Sequence, residues 1–224
     1  PGPNYADWSS AAAFGAGRVA ARQAEGLLVT DQAGGVLRSL VATGDPYCPS
    51  WSPDGRRVAY MEQTYPVPQL YVAEADGSGI TRLSWPSGFV PGCPVWRPDG
   101  PELLVSTIGI SSGPWIVASA SNTYLDTYAV PIDGSARSRL FGGLLAGPIA
   151  DDGQSMLVVD DAGDVHRASP GGASLARIAH VGRYRPVAWS ADGSLIAMPL
   201  YVMSVDGRYA RNISQGTEIL GFAP

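Results

Sequence analysis

Few side chains in this 224-residue sequence have the type and spacing that chemistry needs. Two are cysteines, in Cys48-Pro49-Ser50-Trp51 and Cys93-Pro94-Val95-Trp96, each three residues ahead of a tryptophan. Two thiolates are too few for a structural zinc, which takes four ligands. They are either a disulfide or two buried free thiols. His166 and His180 are the two histidines. No nucleophile is assigned beside them, and no catalytic residue is expected. The acidic stretch Asp160-Asp161-Ala162-Gly163-Asp164 could offer carboxylate and carbonyl oxygens to Ca²⁺. It lacks the longer loop and distal glutamate of an EF-hand, so a solvated turn is expected, with no metal and no cofactor.

Composition narrows the classes further. The net charge is −5, and all 15 basic residues are arginine, so lysine Schiff-base chemistry is excluded within this chain. The densest basic groups are Arg56-Arg57 and Arg183 with Arg185. Without a longer basic run, binding to nucleic acid through its phosphates is not expected. No apolar run reaches the length that spans a bilayer. Gly 28 and Pro 19 fit a chain of many short strands joined by tight turns.

The elements that would position these residues come from an internal repeat. Trp51-Ser52-Pro53-Asp54-Gly55 returns as Trp96-Arg97-Pro98-Asp99-Gly100, as Ile149-Ala150-Asp151-Asp152-Gly153 and as Trp189-Ser190-Ala191-Asp192-Gly193. Successive copies are 45, 53 and 40 residues apart. Each is followed by an apolar run such as Val58-Ala59-Tyr60. A second half-unit, Leu70-Tyr71-Val72 through Asp76-Gly77 to Arg82-Leu83, is echoed at Tyr128–Leu140 and at Leu200–Ile213. Alternation of period 2 marks half-buried strands. Asp-Gly is expected to form two-residue hairpins with both residues at positive φ. Four strands recurring every 40 or so residues are the pattern of a propeller blade.

The series Trp-Ser-Pro-Asp-Gly, apolar strand, Leu-Tyr-Val, Asp-Gly, Arg-Leu resembles the WD40-like (PD40) repeat of TolB-type β-propellers, over roughly residues 15–224. The expectation is an all-β chain forming a single β-propeller domain over 1–224, built of four-stranded antiparallel blades. Five blades are expected, at about 11–41, 45–84, 91–141, 146–179 and 184–214, with 215–224 closing the ring as the innermost strand of the first. Six are expected if residues are missing. In blade five the loop between the second and third strands is all but absent. Cys48 and Cys93 then take equivalent places on the innermost strands of consecutive blades, where a bridge is geometrically possible.

In such a meander the Asp-Gly turns share one face, and variation collects on the other. That loop face carries Tyr47, Tyr65, Phe89, Trp115, Tyr124, Arg183, Tyr184 and Arg185, the residue types that dominate interface hot spots. Trp51, Trp96 and Trp189 are assigned to packing between blades. The resemblance implies a bacterial, non-enzymatic scaffold or accessory subunit outside the cytoplasm: periplasmic, cell-surface or secreted. Its partners would be proteins, including a membrane-associated complex. The alternatives are the propeller portion of a hydrolase or lyase, and a propeller that binds a small ligand or Ca²⁺.

Overall fold

The repeated motif reverses the chain by saturating its own backbone. The Ser52 hydroxyl accepts the Arg57 amide at 2.9 Å and donates to Asp54 Oδ1 at 2.6 Å. Asp54 Oδ1 also accepts the Arg56 amide at 3.0 Å, and the Gly55 amide donates to the Ser52 carbonyl at 2.9 Å. Only the glycine is left-handed, at φ 66°. The turn is therefore the four-residue Ser52–Gly55, with proline in the second place where its fixed φ fits. It is not the two-residue hairpin expected from Asp-Gly. Ser190, Asp192 and Gly193 rebuild it: Leu195 N donates to Ser190 Oγ at 2.9 Å, Ser194 N to Asp192 Oδ1 at 3.0 Å, and Gly193 has φ 68°. In the second copy Arg97 replaces serine and pairs with Asp99 and Glu102, at 2.8 and 2.6 Å.

The computed structural model describes residues 12–15, 17–23, 26–41, 44–64, 67–85, 89–109, 124–150, 152–160, 162–173, 175–180, 188–190, 192–198, 201–206, 208 and 210–212. These form antiparallel sheets, and no helix occurs among them. The first sheet joins β1 (Ala12–Gly15), β2 (Arg18–Gln23), β3 (Gly26–Asp31) and β4 (Val36–Val41) in that order. The second joins β5 (Pro46–Trp51), β6 (Arg57–Glu62), β7 (Gln69–Glu74) and β8 (Ile80–Leu83). In the third, the short β9 (Phe89–Pro91) and β10 (Val95–Trp96) both pair with β11 (Glu102–Gly109). Beyond it come β12 (Tyr124–Pro131) and β13 (Ser138–Gly142). The fourth contains β14 (Leu144–Ile149), β15 (Met156–Asp160), β16 (Asp164–Ala168) and β17 (Leu175–His180). The fifth contains β18 (Ala188–Trp189), β19 (Leu195–Met198), β20 (Tyr201–Ser204) and β21 (Ala210–Asn212).

Two details differ from or refine the expectations. The place beside β2 reserved for residues 215–224 is taken by Ala12–Gly15 of the N-terminal segment; residues 215–224 lie outside the described residues. In the fifth sheet Met198 pairs with Tyr201 in the ladder of β19 and β20; residues 199–200 lie outside the described residues.

The chain divides into two compact units, residues 1–139 and 140–224. Within the first, the tryptophans tie sheet to sheet. Trp51 Nε1 donates to the Ala13 carbonyl at 3.1 Å, and Trp96 Nε1 to the Ser50 carbonyl at 2.9 Å. Arg18 stacks over Trp51 at 5.1 Å and donates to the Gly55 carbonyl. Strand β6 is buried on both faces. Val58 and Tyr60 join the core with Leu27 and Val29 of the first sheet, while Ala59 and Met61 join the core with Leu103 and Val105 of the third. That is why its sequence reads as a continuous apolar run rather than the alternation of a half-buried strand. In the second unit Trp189 Nε1 donates to the Pro148 carbonyl at 3.0 Å, over a core of Leu157, Val159, Val165 and Ile196.

Candidate functional site

The residues expected on the loop face divide three ways. Tyr47 lies on β5, half-buried against the core of the second and third sheets. Phe89 lies on β9 and is 36% exposed. Tyr124 opens β12 opposite Ile108, which on its other side faces Val90, next to Phe89. Phe89 and Tyr124 thus flank one end of β11, from which residues 110–123 depart. Tyr65, Trp115, Arg183, Tyr184 and Arg185 lie outside the described residues.

Cys48 and Cys93 are joined by a disulfide with Cα atoms 5.4 Å apart. Both occupy breaks in the inner strand of a sheet. Cys48, at φ 51°, sits where the register of β5 slips, and Cys93 sits between β9 and β10. The bond therefore staples the second sheet to the third.

A group that composition did not reveal lies on the fourth sheet. Asp160 ends β15 and Asp164 begins β16, around Gly163 at φ 87°. The Asp164 amide donates to Asp160 Oδ1 at 2.9 Å, which fixes the turn. His166 is two residues along β16 from Asp164 and so shares its face; its Nε2 is 3.1 Å from Asp160 Oδ2. Across the ladder, Asp164 pairs with His180 and His166 with Arg177. His180 Nδ1 is 2.7 Å from Asp164 Oδ1, and Arg177 donates to both Asp164 oxygens, at 2.7 and 3.0 Å. Both histidines of the chain thus meet the two carboxylates of one hairpin. The opposite face of these strands, with Leu157, Val159 and Val165, is core.

The electrostatics keep the acids ionised. Hydrogen bonds from Arg177 and then His180 hold Asp164 down at about 2. Burial pulls Asp160 upward, but the Asp164 amide and His166 outweigh it and leave the carboxyl below its ordinary value. Asp160, Asp164 and His166 are 28, 22 and 14% exposed, half-shielded but open to solvent on one side. One atom from each lies within 4.8 Å of the other two.

Two other features bear on chemistry. Gly109-Ile110-Ser111-Ser112-Gly113 has the letters of a serine-nucleophile elbow. That device is a strand-to-helix turn. Here Gly109 ends β11, and residues 110–113 lie outside the described residues. In the first unit Arg137 stacks over Trp85 at 4.9 Å, with Tyr128 edge-on to the indole at 6.2 Å. Trp85 Nε1 and Arg137 Nη1 are buried there without a hydrogen-bond partner.

No family model matches the chain. Among solved structures it resembles TolB from Acinetobacter baumannii at a TM-score of 0.71 and 18% identity, over 93% of this chain and 55% of that one. It resembles a TolB structure from Agrobacterium tumefaciens at a TM-score of 0.54 and 19% identity, over 71% of this chain and 59% of that one. The fold is a TolB-type β-propeller. The same propeller fold is shared with an oligogalacturonate lyase in complex with manganese, at a TM-score of 0.63 and 11% identity, over 92% of this chain and 64% of that one. In sequence, 131 residues are 32% identical to the uncharacterized peptidase YuxL of Bacillus subtilis (strain 168), over 55% of this chain. The chain spans only 19% of that curated relative.

These relatives correct one expectation. A non-enzymatic scaffold was expected, with the propeller portion of a hydrolase or lyase as the alternative, whereas the matches include a protein named as a peptidase and a structure of a lyase. Enzymes of both kinds stand beside TolB among the proteins this TolB-type propeller resembles.

Proposed function

We propose that this propeller is a recognition module that binds a protein or peptide through the face that carries the loops between second and third strands and the connections between blades. The observation that supports it most is the likeness to TolB over 93% of the chain. The arrangement of the third sheet agrees with it. Phe89 and Tyr124 flank the end of β11 from which the Trp115-bearing stretch departs, and an exposed aromatic is a natural anchor for a partner. Tyr47, Tyr65, Arg183, Tyr184 and Arg185 complete the proposed surface. The five expected blades are proposed to act as one domain. The Cys48–Cys93 disulfide favours an oxidising compartment outside the cytoplasm. No helix among the described residues is long and apolar enough to cross a membrane. The test is partner capture from native membranes with wild-type protein and with Trp115→Ala and Tyr184→Ala. The variants are expected to lose the partner; retention equal to wild type would sink the reading.

The match to a peptidase supports a second reading, in which the module selects the substrate of a hydrolase. Peptide hydrolysis by the intact polypeptide, with Trp115→Ala raising KM and leaving kcat unchanged, would favour it. A polypeptide inert toward peptides of every length tried would remove it.

A further inference from the structure

We propose that Asp160, Asp164 and His166 form a binding site for a zinc-class divalent cation, with His180 and Arg177 orienting Asp164. The case begins with the register. Asp160 and Asp164 flank one tight turn, and His166 follows Asp164 on the same face of β16, so three potential ligands issue from a single hairpin. Strands held in a ladder place side chains more tightly than loops do. One donor atom from each of the three lies within 4.8 Å of the others. Ligand atoms around a tetrahedral zinc at 2.0–2.2 Å stand about 3.4 Å apart, so small side-chain rotations close the shell.

The surroundings resemble those of a metal centre more than those of an isolated acidic turn. Imidazole nitrogen beside two carboxylates is a mixed set that suits zinc-class cations, whereas calcium takes oxygen alone. Metal ligands are normally held by an outer layer of hydrogen bonds. Here His180 and Arg177 supply that layer to Asp164, and the Asp164 amide supplies it to Asp160. Two carboxylates facing one guanidinium leave an acidic charge in excess for a cation to meet. Binding would replace the contact between His166 Nε2 and Asp160 Oδ2 by two bonds to the ion, with Nε2 deprotonated and any proton on it released to solvent.

The experiment uses the protein without a polyhistidine tag, titrated with ZnCl₂ and separately with CaCl₂. One zinc per chain is expected, with calcium at least roughly a hundredfold weaker. Asp160→Asn and His166→Gln should each weaken zinc at least roughly tenfold, and His180→Gln roughly tenfold through loss of the outer contact. Asp152→Asn, on the turn between β14 and β15 of the same sheet, should leave the affinity unchanged. The two histidines give two imidazole signals by NMR, and zinc must move that of His166 in the wild-type protein. This readout decides the matter even if the ligand variants fail to fold. A titration without saturable zinc binding, binding that Asp160→Asn and His166→Gln leave untouched, or a His166 signal that does not respond would each overturn the site.

Discussion

Two of the turns of the fourth sheet use the same residue types for different ends. At the first, Asp152 Oδ1 accepts the amides of Gln154 and Ser155 at 2.8 and 3.3 Å, beside Gly153 at φ 66°. That carboxylate oxygen serves its own backbone. At the second, Asp160 accepts one amide, and its other oxygen faces His166, while Asp164 faces Arg177 and His180. Aspartate and glycine alone therefore say only that the chain turns. What makes the second turn chemically interesting is the set of side chains that β16 and β17 bring over it. The first belongs to the framework, repeated at Asp54 and Asp192; among the described residues the second occurs once.

If the division is right, damage to the framework should cost much more stability than damage to the hairpin. The largest loss is expected for Trp189→Ala, which removes both the packing over Leu157 and Ile196 and the bond to Pro148. Large-to-small core substitution predicts about 3–5 kcal/mol, read from urea denaturation; a loss under about 1 kcal/mol would break the assignment. Next is the pair Cys48→Ser and Cys93→Ser. Opening a link across a sequence separation of 45 should cost about 4 kcal/mol on loop-closure grounds. An unchanged midpoint in reducing buffer would show that the staple does not constrain the chain. Ser190→Ala should cost about 1–2 kcal/mol by orphaning the Leu195 amide. Against these, Asp160→Asn should stay within about 0.5 kcal/mol, because half-exposed ion pairs contribute little. A large loss there would move the hairpin into the framework.

Much of the fold is legible because the chain repeats itself: the tryptophan, the Asp-Gly turns and the apolar runs recur at matching offsets, and the strands fall where those offsets place them. The turn type was not legible from Asp-Gly alone, since Ser52 and Asp54 divide the amides between them and leave only Gly55 to adopt positive φ. The histidine hairpin was half legible. Alternation puts Asp164 and His166 on one face, but Arg177 and His180 are three residues apart and would point to opposite faces of a regular strand. The ladder slips by one between Val165 and His166, leaving Ile178 unpaired, and this bulge brings both side chains to Asp164. Such a slip has no signature in composition or period. The partner surface rests on residue types, and five of its eight members lie outside the described residues.

The smallest expected effect concerns acid, and it asks whether both kinds of turn draw on ionised carboxylates. Asp192 at the framework turn is held at about 2 by the Ser190 hydroxyl and then by the Ser194 amide. Asp164 at the hairpin is held at about 2 by Arg177 and then His180. In each the folded value lies below the ordinary carboxylate value of 3.8. The folded state therefore binds protons less readily than the unfolded state. The contribution of each group is complete above about pH 4, declines as the pH falls, and is gone below about pH 2. Asp192 is exposed and Asp164 reaches solvent on one side, so each share is small. Asp192→Asn keeps an acceptor for the Ser194 amide but cannot ionise. Its urea midpoint is expected to fall below wild type at pH 6 and to converge on it near the acid end of the range. Asp164→Asn should behave the same way, with one difference that separates the turns. Added salt should shrink the Asp164 effect, because it depends on a charged guanidinium in water, and should leave the Asp192 effect nearly untouched, because that carboxylate is held by hydroxyl and amide donors. Equal salt sensitivity in the two variants would erase the electrostatic part of the distinction between framework turn and hairpin.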